Sequence, residues 1–183
     1  MRHYWTYLYG REPVLASLTA RRRIHYERIY LQRNPSSLPQ SQRKWVDKDK
    51  QRDEIENLAG KLGVPISYVP SHVLYEMSEN RPHNGVVMKV GPLDMVESDQ
   101  VDLQELKSLS TPPVLVVLDQ VMDPQNLGAI IRSCFFFGAH KILISRRETG
   151  HLSGVVAKAS AGAMEHANLG FLNRVPRFLK VSV

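Results

Sequence analysis

Residues 114–118 (V-L-V-V-L) and 141–145 (K-I-L-I-S) are two apolar, β-branched runs flanking a segment with helix punctuation at both ends. Runs of this type suit strands covered on both faces of a parallel sheet. Asp119-Gln-Val-Met-Asp123 turns the chain after the first run. Asp123 is a good N-cap, Pro124 takes the favoured first helical position, and Gly138 ends a helix running to about Phe137. The expected result is a β-α-β unit. Its loop lies at the carboxyl end of the first strand, where open α/β sheets take their ligands.

Upstream, short helical and strand patterns alternate over residues 1–90, which predicts a second α/β module. After Gly10, the apolar Val14, Leu15 and Leu18 recur at helical spacing, in a short helix ending at basic Arg21, Arg22 and Arg23. Strands are expected over 27–32, 65–69 and 85–90. Helices are expected over 47–62, stopped by Gly63, and from a Ser71 cap through Met77. Residues 34–42 read as a polar loop. The acidic stretch 91–112, bracketed by Gly91-Pro92 and Pro112-Pro113, reads as a linker with room for a short helix over 102–109. The expected division is therefore 1–90, a 91–112 linker and 113–183.

Composition narrows the partners. The chain of 183 residues carries a net charge of +6, unevenly placed. Residues 1–60 hold 12 Lys and Arg against 7 Asp and Glu, residues 61–110 hold 4 against 7, and residues 111–183 hold 8 against 4. Basic ends around an acidic middle suit a polyanion gripped at both ends, although a solvated surface gives the same balance. The single cysteine, Cys134, excludes an intramolecular disulfide framework and a Cys-based zinc site. Its place in an apolar helical pattern predicts a buried, inert thiol. No metal ligands are indicated. No apolar run approaches the roughly 20 residues of a membrane helix, so no membrane partner is expected. The start lacks a signal peptide's apolar core and leaves no length for a full transit peptide. The expectation is a cytosolic chain, or one whose start lies downstream of a presequence.

The chemistry concentrates between Asp119 and Arg132, D-Q-V-M-D-P-Q-N-L-G-A-I-I-R. Asn126 falls in the first helical turn, beside backbone N–H groups that suit anionic or polar ligands. Gly128 lets a backbone come close. Arg132, about 9 Å further along the axis, could hold a phosphate or polarise a hydroxyl. The bland readings are equally concrete: a first-turn Asn often only satisfies backbone, and a helical Arg is often solvated. No G-x-G-x-x-G dinucleotide fingerprint, P-loop or G-x-S-x-G elbow is present.

The string D-P-Q-N-L-G-A-I-I-R-S, set between an apolar strand and F-F-F-G-A, resembles the first motif of the SpoU (TrmH) RNA ribose 2′-O-methyltransferases. Ala157-Lys-Ala-Ser-Ala-Gly-Ala-Met-Glu165 is similar to the family's next segment. Tyr9-Gly-Arg-Glu-Pro-Val-Leu-Ala-Ser-Leu18 resembles the opening of its L30e-like RNA-binding domain, and His83-Asn-Gly-Val-Val87 stands where that domain has His-Gln-Gly and its final strand. The resemblance implies an L30e-like domain over 1–90, then an incomplete SPOUT methyltransferase domain of the α/β-knot type over 113–183. It further implies S-adenosylmethionine as methyl donor and structured RNA as partner, with ribose 2′-O-methylation of rRNA, at guanosine, as the reaction. Asn126 and Arg132 match the motif residues at the active site, Arg132 being the one to orient or deprotonate the ribose 2′-hydroxyl. A guanidinium is a poor base at its usual pKa, so a water or an RNA phosphate would have to help. Arg21, Arg22, Arg23 and His83 become RNA-binding candidates, a satisfied turn histidine being the other reading of His83. Glu165 matches a family position without an assigned role.

The spacing and the M-D-P-Q-N opening look most like the mitochondrial rRNA ribose methyltransferases, which implies a mitochondrial location, with the cytoplasm as alternative. The family's later Gly-x-Glu-Gly and Ser-Leu-Asn segments do not occur in this sequence, so the residues binding the methyl donor stay unassigned. Two functional expectations follow. One is an enzyme by descent, truncated and inactive alone; the other is a non-catalytic RNA-binding or regulatory fragment. Family members dimerise through the transferase domain, much of which this chain is expected to lack.

Overall fold

A computed structural model of the chain describes residues 5–33, 50–97, 112–146, 149 and 151–181. It divides into two compact units, Met1–Pro92 and Leu93–Val183.

The first unit runs β1 (Thr6–Tyr9), α1 (Arg11–Ala20), β2 (Tyr26–Gln32), α2 (Lys50–Leu62), β3 (Ile66–Val69), α3 (Ser71–Met77) and β4 (Val86–Val90). Its four strands lie in the order β1-β4-β2-β3. β4 runs antiparallel to both β1 and β2, and β3 is parallel to β2. Consequently β1, β2 and β3 all point their carboxyl ends at one rim, where β4 begins. The register places Leu8, Met88 and Ile29 in one row across three strands, and all three are fully buried, as are Val14 and Leu18 of α1 and Ile55 and Ala59 of α2. The period of two sends Tyr9 and Val87 to the opposite face. There they form a core with Leu74 of α3, backed by Tyr30, Val69 and Met77.

Most expected elements are present, with two differences. β1 was not anticipated; its W-T-Y-L-Y run is aromatic enough for a strand once β4 supplies a partner. Ser71 is the first helical residue and does not cap α3: the cap is Pro70, whose φ of −62° and ψ of 155° already give the extended conformation a cap requires. Gly63 does stop α2, at a φ of +68° that favours glycine. The loop over 34–42 and the helix over 102–109 lie outside the described residues, as does the start of the helix expected from 47.

The second unit runs β5 (Val96–Glu97), β6 (Leu115–Leu118), α4 (Pro124–Phe136), β7 (Lys141–Ser145), α5 (Gly154–Ala159), α6 (Ala163–His166), β8 (Leu169–Leu172) and α7 (Val175–Val181). The sheet order is β5-β8-β7-β6, and every pairing is parallel. β7 is buried from Ile142 to Ser145, as its apolar run predicts. β6 is only half-buried until Leu118. Among the described residues it is an edge strand, paired with β7 alone, and is less buried than a strand covered on both faces is expected to be. One sheet face is closed by Leu143, Leu172 and Phe178, with Val117 and Val175 packed against them. Val96–Glu97, inside the stretch read as linker, pair with Gly170 and Phe171 of β8.

Candidate functional site

The turn from β6 into α4 is built as its residues dictate. Asp123 is the N-cap, its Oδ1 accepting from the Gln125 N–H at 2.9 Å, and Pro124 follows inside the first turn. Leu127, Gly128 and Ile131 form the buried face of α4. Asn126, Ala129, Arg132 and Ser133 are exposed. Six residues at about 100° each leave Asn126 and Arg132 some 120° apart around the helix and about 9 Å apart along it. Asn126 therefore stands in the first turn of α4 and Arg132 beyond its middle, on different sides of the helix.

Gly128 explains how α4 is seated. A Cβ at this position would lie 2.6 Å from Ala159 Cβ, 2.8 Å from Val156 O and 3.0 Å from Ser160 N. The helix thus lies directly on the end of α5, and only glycine permits it. The same contact places the 157–165 segment. Ser160 is fully buried; its Oγ donates to Ala157 O at 3.1 Å and accepts from the Met164 N–H at 3.3 Å, joining α5 to α6. Ala161 and Gly162 make the corner with φ of 50° and 83°. Glu165 is fully buried in α6.

The arginines that close α1 do not share one surface. Arg21 is exposed and forms the left-handed C-cap, its N–H donating to Ser17 O at 3.1 Å. Arg22 is half-buried. Arg23 is 5% exposed, and its Nη1 donates to Gly91 O at 3.2 Å. The expectation of three RNA-facing arginines is corrected at Arg23, whose guanidinium is spent on holding the start of β2 to the end of β4. Cys134 is half-buried, and desolvation raises its thiol pKa.

His83 is 4% exposed. Its Nδ1 accepts the Gly85 N–H at 3.0 Å, so a neutral ring carries its proton on Nε2. Among the described residues that Nε2 is buried with no hydrogen-bond partner. The ring stands edge-to-face against Tyr75, with centroids 4.5 Å apart. Burial pulls the imidazole pKa below its ordinary value. His83 also lines a cavity of about 730 Å³, with Arg11, Gln32, Arg52, Tyr75 and Asn84 among the other walls. Arg11 and Asn84 lie within the two strings that resemble the RNA-binding domain, whereas Gln32, Arg52 and Tyr75 were not singled out from the sequence. The usable signal was the Asn84-Gly85 pair, a turn dipeptide that here takes φ of 50° and 79°. Among the described residues no group of His, Cys, Asp and Glu could hold a metal ion, and no helix is long and apolar enough to cross a membrane.

Residues 7–96 match the profile of the RNA 2′-O ribose methyltransferase substrate-binding family, and residues 113–182 match that of the SpoU rRNA methylase family. An uncharacterized tRNA/rRNA methyltransferase of Mycolicibacterium vanbaalenii is 36% identical over 135 residues, covering 74% of this chain and 43% of that protein. The mitochondrial rRNA methyltransferase 1 of Schizosaccharomyces pombe is 37% identical over 154 residues, covering 71% of this chain and 51% of that protein. The chain thus spans about half the length of the curated relatives it matches. The crystal structure of an AdoMet-bound rRNA methyltransferase from Sinorhizobium meliloti superposes with a TM-score of 0.69 at 17% identity, over 97% of this chain and 57% of that one. That likeness shows a shared α/β fold.

Proposed function

Because the chain belongs to the SpoU rRNA methylase family, we propose that it acts in S-adenosylmethionine-dependent methylation of rRNA at ribose 2′-oxygens. The observation that carries this reading is the order of two family matches on one chain, with Asn126 and Arg132 exposed on the helix that follows the first strand of the second match. The finer proposals are an L30e-like RNA-binding domain over 1–90, a linker over 91–112 that gives up β5 to the next sheet, and a transferase domain over 113–183. Guanosine is the proposed target. The relative from S. pombe supports a mitochondrial location, and the homodimer of family members is not proposed for this chain, which is expected to lack much of the transferase domain.

Within this reading Arg132 is the group that meets the substrate. A guanidinium stays protonated at neutral pH and offers a fork of N–H donors. It would clamp the phosphate beside the target ribose and hold the 2′-oxygen in line for attack. The proton of that hydroxyl would leave to water or to an RNA phosphate, because arginine has no acceptor to take it. Asn126, at the positive end of α4, would fix a polar group of the same nucleotide. S-adenosylmethionine, when bound, supplies the methyl group.

Past the carboxyl end of β8 the chain turns into α7. There Asn173, Arg174, Arg177 and Phe178 bound a cavity of about 270 Å³. That volume lies just below the roughly 300–1,000 Å³ of pockets that enclose small ligands. A second reading is an RNA-binding or regulatory module without turnover of its own, favoured by the match of residues 7–96 to the substrate-binding family.

The deciding experiment incubates the purified 183-residue chain with rRNA and S-adenosylmethionine labelled on the methyl group. Ribose-linked label sensitive to Arg132→Ala supports the enzyme. RNA binding without label transfer supports the module, and neither binding nor transfer removes both.

A further inference from the structure

The carboxyl ends of β1, β2 and β3 meet at one rim of the first sheet, and the 730 Å³ cavity opens there. Its walls come from five places. The start of α1 gives Arg11 and Glu12, the end of β2 gives Gln32, the first turn of α2 gives Gln51 and Arg52, α3 gives Ser71 and Tyr75, and the loop before β4 gives His83, Asn84 and Gly85. The volume is that of a small-molecule site, but the lining is polar and carries two guanidinium groups. α1 opens on this rim at Gly10, with a φ of 95° and no side-chain cap, so the positive end of a ten-residue helix adds to the same field.

Two side chains point to the ligand class. Tyr75 is 46% exposed although it lies against the buried His83, so much of its ring is open to a stacking partner. His83 holds an Nε2–H donor that no described acceptor satisfies, in a side chain 4% exposed. An unsatisfied buried donor is costly to keep, and its persistence at a cavity wall calls for an acceptor delivered from outside. A ligand with a flat ring, acceptors on the ring edge and an attached anion meets all of these groups together. The two arginines are held in place for the anion. Arg11 Nε donates to Asn84 O at 3.3 Å, and Arg52 donates to Gln32 O at 3.3 Å while pairing with Glu56 at 3.1 Å.

We propose that this cavity takes one unstacked nucleotide of single-stranded RNA, its base against Tyr75, its edge accepting from His83 Nε2–H, and its phosphate between Arg11 and Arg52. Glu12 is the acidic group in the lining and suits an exocyclic amino group. Bases splayed from loops and stacked on aromatic side chains are the general means of reading single-stranded RNA. The proposal rests on RNA being the substrate and deepens that reading, because it names the face and the structural state of the RNA that is held.

The test measures binding of a fluorescent single-stranded 12-nucleotide RNA, the same sequence as a duplex, and free nucleoside monophosphates to the full chain. The single strand is expected to bind at least tenfold more tightly than either other probe. Tyr75→Ala should weaken single-strand binding about tenfold, the scale of one lost stack, and Tyr75→Phe should restore it. His83→Gln should also weaken it. A 4-thiouridine probe should crosslink within residues 71–85. Equal binding by the wild type and Tyr75→Ala, with both chains folded by thermal melting, would remove the cavity while leaving the RNA reading intact. No binding of any RNA by the wild type would overturn both. Tighter binding of free monophosphates than of the strand would show a nucleotide site unrelated to RNA and overturn the proposal.

Discussion

At the scale of single residues, burial separates groups that the sequence presents as equals. Arg132 is exposed on α4 and Arg23 is sealed between β2 and β4, so their substitutions should fail in different ways. Arg132→Ala is expected to lower methyl transfer at least a hundredfold without moving the melting temperature. Arg132→Lys should recover little, since an ammonium lacks the planar fork; full activity in the lysine variant would refute the clamp. His83 offers a pH test. Desolvation lowers its pKa in the folded chain, so between that value and the unfolded value of about 6.5 the unfolded state binds more protons. Stability contributed by the neutral ring is present above pH 6.5 and is lost as pH falls through this window. The urea midpoint of the wild type should therefore drop more between pH 7.5 and pH 5 than that of His83→Gln. Parallel curves would mean that the ring titrates alike in both states.

At the scale of elements, the contact between α4 and α5 is the most sharply defined. A methyl group at position 128 would sit 2.6 Å from Ala159 Cβ and 2.8 Å from a backbone oxygen that cannot rotate away. Gly128→Ala should cost about 1–3 kcal/mol, the usual range for overpacking. A urea titration would read this, and an unchanged midpoint would show that the helices slide apart freely. The sequence announced α4 in full, because Asp123, Pro124 and Gly138 each act within a turn of their own position. What it could not announce depends on distant partners. β1 is a strand because β4 lies beside it, and β6 is half-buried because nothing described pairs on its outer side. Arg23 is removed from the surface by a carbonyl 68 residues away. The candidate site divides in the same way: Asn126 and Arg132 stood out in one short string, whereas the cavity around His83 is assembled from five separated segments.

At the scale of the whole molecule, net charge and its placement set the response to salt. Each phosphate neutralised on a single strand releases counterions, and the logarithm of the binding constant falls by about 0.7 per decade of salt for each such contact. A chain of net charge +6 with basic residues concentrated in 1–60 and 111–183 should show a slope of several contacts. The magnitude of the slope then sorts individual arginines. Arg21, exposed at the end of α1, should reduce it by about 0.7 when changed to alanine. Arg23→Ala should leave the slope unchanged and lower the melting temperature, since its guanidinium is buried against Gly91 O. Fluorescence titrations of one RNA across a range of salt concentrations measure both. A slope that shrinks with Arg23→Ala and not with Arg21→Ala would reverse the assignment of which arginine faces RNA. It would also require α1 and the β4 end to separate when RNA binds.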